Sequence, residues 1–114
     1  MSSSKSAPID STNADLAPVE QQAAGFEAVR EARRSETAQD YVELIDDLIK
    51  ATGEARVVDV AARMGVSHAT VNRILARLVK EGLVSTQPYR SIFLTDAGAG
   101  LAQESRERHR IVVE

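Results

Sequence analysis

The fold class the sequence predicts is mostly α: a winged helix-turn-helix with a two-stranded wing and an extra N-terminal helix. Three observations predict it. A short and a longer helical pattern are separated only by Gly65-Val66-Ser67, and two β-rich pieces follow Gly82. The composition, 43% hydrophobic with 4% aromatic residues and no Trp, requires an aliphatic core. A chain of 114 residues can build one such core of modest size.

The elements follow in order. Residues 1–18, rich in Ser, Ala, Asp and Pro without periodicity, are expected to form a disordered tail. They contain no apolar stretch of the kind a secretory signal needs. Residues 18–34 hold good helix formers and a weak apolar stripe of Val19, Phe26 and Val29, interrupted by Gly25. Ser35 or Thr37 can cap a second helix through DYVELIDDLIKAT, which should stop at Gly53. Tyr41, Leu44, Ile45, Leu48 and Ile49 place its apolar residues on one side.

The helix-turn-helix occupies VVDVAARMGVSHATVNRIL. Val57, Val60, Ala61 and Met64 form the inner face of its first helix. The small Ala61 permits a close crossing, and Gly65 suits a turn that needs positive φ. Val66 is expected as a buried turn residue, and Ser67 as the cap of the second helix. Val71, Ile74, Leu75 and Leu78 form that helix's inner face. Strands over residues 83–86 and 91–94, turning around Gln87-Pro88-Tyr89-Arg90, make the wing, and Thr95 caps a last helix.

Charge is distributed unevenly. The net charge of −3 conceals a segment over residues 60–94 with five basic side chains and one acidic one. That segment, net +4, lies between stretches of −6 and −1 and fits an anionic partner. On the outer face of the second helix, Arg73 and Arg77 can grip guanine, Asn72 can grip adenine, and Ala69 can pack on a thymine methyl. Ser67 and Thr70 at the helix start suit phosphate oxygens, with His68 beside them. Arg90 at the wing tip can enter a minor groove or touch the backbone. Double-stranded DNA is therefore the expected partner. Winged helices also serve as protein-interaction modules, in which case these arginines are only a solvated face. The chain has no cysteine, two histidines, and neither a phosphate loop nor a nucleophile motif, so an enzyme is not expected. The absence of cysteine also suits a cytoplasmic protein. No apolar run reaches the roughly 20 residues that a membrane helix needs.

With these residues in view, the chain resembles the diphtheria-toxin-repressor family of bacterial metal-dependent regulators, and within it the manganese transport regulators. The matching segments are GFEAVREARR, DYVELIDDLI, GEARVVDVAARMGVSHATVNRILARLVKEGL, YRSIFLT and GAGLAQESRERHRIV. The resemblance implies a homodimeric repressor that binds a palindromic operator when loaded with Mn(II) and controls manganese transport genes. It implies Asp40, Glu43 and His109 as metal ligands. The spacing of Asp40 and Glu43 puts both carboxylates on one helix face, an arrangement that a solvated surface or a helix start also produces. Asp46 and Asp47 receive no role and are expected to face solvent.

Three departures from the family stand out. Ala69 stands where relatives often have Pro, and Ser91 stands where Gly is usual at the wing. The third concerns the helix that contains His109. In the family it leads into further helices that dimerise and complete the metal site, whereas this sequence reaches Glu114 inside it. The resemblance thus divides the chain into a tail (1–18), a winged helix-turn-helix domain with its N-terminal helix (19–94), and the start of a metal-binding and dimerisation domain (95–114). A shortened chain implies a weak or incomplete Mn(II) site. It also admits an alternative role, an interaction subunit that pairs with a full-length regulator without binding operators by itself.

Overall fold

The computed structural model describes residues 17–87 and 91–113. Along them, α1 runs Val19–Thr52, α2 Val57–Met64, α3 His68–Lys80, β1 Val84–Ser85, β2 Phe93–Leu94 and α4 Asp96–Val113. Most of the residues expected to form a disordered tail, and the wing turn from Pro88 to Arg90, lie outside the described residues.

The chain divides into two units, one ending at Arg34 and the other beginning at Ser35. In the first, Val19, Phe26 and Val29 form an exposed stripe. Glu27 pairs with Arg30, and Glu31 pairs with Arg34 at 2.7 Å. These are i, i+3 pairs of the kind that support an exposed helix.

The expected break before a second helix does not occur, because α1 is continuous from Val19 to Thr52. No Gly or Pro lies between Phe26 and Thr52 to stop it. The Ser35 hydroxyl accepts a bond from the Gln39 side chain at 3.2 Å, one turn on, rather than capping amides. The helix ends where expected: Gly53 has φ +88° and its amide donates to the Ile49 carbonyl.

The second unit contains the core. Ala38, Tyr41, Ile45 and Leu48 of α1 pack with Val60 and Ala61 of α2 and with Val71, Leu75 and Leu78 of α3. Ala55, Val84 and Ile92 complete this cluster. Val42 is also wholly buried, although it lies off the stripe read from the sequence.

The turn between α2 and α3 has the expected chemistry. Gly65 has φ +70° and donates to the Ala61 carbonyl, and the Ser67 side chain accepts from the Thr70 amide at 3.1 Å. Val66, however, is 38% exposed. Its amide is drawn in to the Ala61 carbonyl, and its side chain is left at the surface of this tight connection.

The wing is shorter than predicted, with Val84 opposite Leu94 and Ser85 opposite Phe93 in an antiparallel pair. A further bridge joins Ala55 to Ile92, whose amide donates to the Ala55 carbonyl at 2.8 Å. The segment after α1 thus braces the wing through a single bridge at Ala55.

From the wing, the chain turns directly into α4. Thr95 caps this helix by accepting the Gly98 amide, while its hydroxyl donates to the Gly82 carbonyl at 2.6 Å. A β-carbon at Gly98 would lie 2.0 Å from the Leu83 carbonyl oxygen. The obstacle is backbone, so rotamer changes cannot relieve it. Gly98→Ala is expected to lower the unfolding free energy by about 3 kcal/mol, read from urea denaturation. Gly65→Ala meets no atom within 4 Å and should cost only its backbone strain, about 1 kcal/mol.

Candidate nucleic-acid interface and metal cluster

Helix α3 presents its outer face as its amphipathic pattern requires. His68, Ala69, Asn72 and Arg73 are exposed, and Thr70 is half-buried. Ser67 and Thr70 are engaged with each other: the Ser67 oxygen takes the Thr70 amide, and its hydroxyl donates to Thr70 Oγ1 at 3.1 Å. Arg77 is half-buried, with Nε 3.6 Å from Glu81 Oε2 one turn on. Arg90, the remaining DNA-contact candidate, lies outside the described residues.

An open cleft of about 860 Å³ separates α3 from the wing. Asn72 and Ala76 line one wall, Thr86, Gln87 and Phe93 the other, and Arg56 lies at its edge. Ser91, the residue that departs from the family's glycine, helps to fix the wing wall by donating to Glu54 Oε1 at 2.8 Å. The same carboxylate oxygen lies 3.2 Å from Arg56 Nε. The Ser91 and Arg56 hydrogen bonds, reinforced by the arginine's charge, hold the Glu54 carboxyl below its ordinary value.

The second group of candidates lies between α1 and α4. His109 Nδ1 is 3.2 Å from Glu43 Oε2, so residues far apart in sequence meet here. Glu43 is half-buried and its Oε2 also accepts the hydroxyl of Ser105. Asp40 is exposed, one turn before Glu43 on α1. Its carboxyl is raised by partial desolvation and by the negative charge of Glu43, against the opposing influence of His109. Among the described residues, no three His, Asp or Glu side chains converge closely enough to hold an ion. The structure joins Glu43 to His109 and leaves Asp40 beside them.

Asp46 and Asp47 do not simply face solvent. Arg106 on α4 reaches Asp46 Oδ2 at 2.6 Å and Asp47 Oδ1 at 2.5 Å. Its Nη2 also lies 3.4 Å from the Glu43 carbonyl oxygen. Burial alone would raise the Asp46 carboxyl. Hydrogen bonds from Lys50 and Arg106, with the charges of both, outweigh it and hold the group below its ordinary value of 3.8. Sequence reasoning missed this clamp and the buried Ser105. The only signal was the i, i+4 spacing of Ser105 and His109, which puts both on one face of α4.

Residues 34–92 match the family described as "Iron dependent repressor, N-terminal DNA binding domain". The chain belongs to this family. Over 97 residues it is 58% identical to "Transcriptional regulator MntR" of Escherichia coli O6:H1, covering 85% of this chain and 63% of that protein. Its identity to the Salmonella typhimurium protein of the same name is 57% over 97 residues, again 85% of this chain and 62% of the relative. A more distant relative, "HTH-type transcriptional regulator MntR" of Listeria welshimeri, is 32% identical over 74 residues, or 65% and 52% of the two chains. The chain thus spans less than two thirds of the length of these relatives. They are named as regulators of transcription, and none is named as an enzyme.

Among solved structures, a MarR family protein from Bacillus stearothermophilus superposes with a TM-score of 0.52 at 16% identity, covering 85% of this chain and 80% of that one. A transcriptional regulator from Pseudomonas aeruginosa gives the same score and identity over 84% and 78%. At that identity the likeness concerns the fold, and it agrees with the helix-turn-helix and wing of this iron-dependent-repressor domain.

The Arg106 clamp has a defined pH signature. A depressed carboxyl stabilises the fold at any pH above its unfolded value, and that contribution is lost as pH falls through the lower folded value. Arg106→Ala is expected to lower the unfolding free energy at neutral pH by about 2 kcal/mol, the scale of charge-assisted hydrogen bonds. The difference from the parent should shrink as pH drops below 3.8, as measured by urea titrations across the acid range.

Proposed function

We propose that this chain is a manganese(II)-responsive DNA-binding repressor that controls manganese transport genes, acts in the cytoplasm and works as a homodimer on a palindromic operator. The observation that carries the metal part is the meeting of Glu43 and His109 at 3.2 Å across α1 and α4, behind a winged helix. Carboxylate oxygens and an imidazole nitrogen are donors that suit Mn(II), and the chain has no thiolate to favour a softer ion. The negative charge of Glu43 that raises the Asp40 carboxyl is a charge excess that a cation would relieve. By donor chemistry the residues suit the ion: Glu43 and His109, already together, would hold it, with Asp40 drawn in beside them. When bound, Mn(II) would supply positive charge that offsets the carboxylates of Asp40 and Glu43. On this reading residues 95–114 begin the part of the protein that would bind metal and dimerise.

The DNA contacts follow from the exposed face of α3. Arg73 and Asn72 reach base edges in the major groove, and Ala69 meets a thymine methyl. Ser67 and Thr70 face phosphate at the helix start, with His68 beside them. Arg77 and Arg90 add positive charge to the segment that meets the backbone. Two copies of α3 would enter successive major grooves, about one helical turn apart. The positive charge of residues 60–94 gives the interface its attraction for the backbone and makes its affinity dependent on salt.

The test is a binding titration on a manganese-transporter promoter duplex at stated salt, with and without Mn(II). Mn(II) is expected to tighten binding. Asp40→Ala should remove that gain while leaving metal-free binding unchanged. Equal affinity with and without the ion would refute the metal-responsive reading. In the same assay Arg73→Ala is expected to weaken operator binding by about 1–3 kcal/mol and to relax the base preference at one position. A uniform loss on all sequences would instead mark Arg73 as a phosphate contact.

A further inference from the structure

We infer that Ser105 is a positioning residue for metal binding: its hydroxyl holds the Glu43 carboxylate in the orientation that places it against His109. This rests on the reading of Asp40, Glu43 and His109 as a Mn(II) site and adds to it a residue outside the ligand set.

Ser105 is wholly buried, which is unusual for a serine in the charged run ESRERHR. It precedes His109 by one turn, so hydroxyl and imidazole project from one face of α4. Both groups address the same atom: the Ser105 hydroxyl donates to Glu43 Oε2, and His109 Nδ1 lies 3.2 Å from it. Glutamate is a flexible side chain that loses rotamer freedom when it takes up a ligand. A hydrogen bond from a buried, immobile donor imposes that order during folding, so less ordering remains for ion binding. Hydrogen bonds to ligating carboxylates act on metal affinity in this way, typically by 10–100-fold.

The bland alternative is a buried hydroxyl that takes the nearest acceptor and serves only to seat α4. That helix already has other anchors. Arg106 grips Asp46 and Asp47, Ala102 is wholly buried, and Leu101 packs on the core. Ser105 is therefore not needed to keep α4 in place, and its effect should appear in metal affinity.

The experiment titrates the 114-residue chain with Mn(II) and reads the free ion by electron paramagnetic resonance. It compares the parent with Ser105→Ala, Ser105→Thr and Ser105→Val, and circular dichroism monitors metal-free unfolding. Ser105→Ala is expected to bind Mn(II) about tenfold more weakly while still unfolding in a single cooperative transition. Thr and Val have the same shape and differ in the hydroxyl, so Thr should bind more tightly than Val by a similar factor. That pair decides the matter if Ser105→Ala does not fold. Equal affinity in the parent and Ser105→Ala, or in Thr and Val, overturns the positioning role alone. A parent chain that leaves Mn(II) free overturns the metal-site reading, and this inference with it.

Discussion

The Arg106 guanidinium sits between carboxylates on successive residues of α1, with the Glu43 carbonyl nearby, and joins the last helix to the first. Charged groups that leave water in part must find partners, because an unpaired one is far costlier than a paired one. That requirement fixes the rotation of α4 about its own axis. Once Arg106 faces Asp46 and Asp47, the preceding residue Ser105 is buried against Glu43, and His109, one turn on, lies beside the same carboxylate. The geometry of the candidate metal cluster therefore follows from an ion pair that contains none of its ligands.

The helix-turn-helix was legible in the sequence because its signals are local. Gly65 needed a left-handed backbone, Ser67 needed amides to cap, and the apolar spacing chose the inner faces. Features that depend on distant residues were not legible. Ser35 and Thr37 look like helix starts until it is seen that nothing before them ends the preceding helix. Ala55 carries no strand signal of its own, and only the arrival of Ile92 beside it makes a bridge. Asp46 and Asp47 read as surface charge because their partner lies in another helix. Asp40, Glu43 and His109 stood out through family resemblance, since their residue types and spacing suit a solvated helix equally well. Ser105 was hidden for the opposite reason, as a serine among charges that gives no hint of burial.

Two electrostatic regimes share this small domain. The outer face of α3, with Arg73 and Lys80 exposed, carries positive charge open to solvent, so its interactions are long-ranged and screened by salt. Between Asp46 of α1 and Arg106 of α4 the charges are closely paired and partly withdrawn from water, so screening acts on them much less. Changes in ionic strength therefore act more on the exposed face of α3 than on the Asp46–Arg106 pair.

The joint at Gly98 has a mechanical consequence. The Leu83 carbonyl accepts the Thr95 amide and leaves no room for a β-carbon at Gly98, while the Thr95 hydroxyl holds the Gly82 carbonyl. The root of α4 is thus welded to the base of the wing, with no hinge between them. A helix fastened in this way acts as a lever: a small rotation imposed at its far end is delivered to the wing instead of being absorbed on the way. Any partner that takes hold of α4 therefore also holds the two strands of the wing.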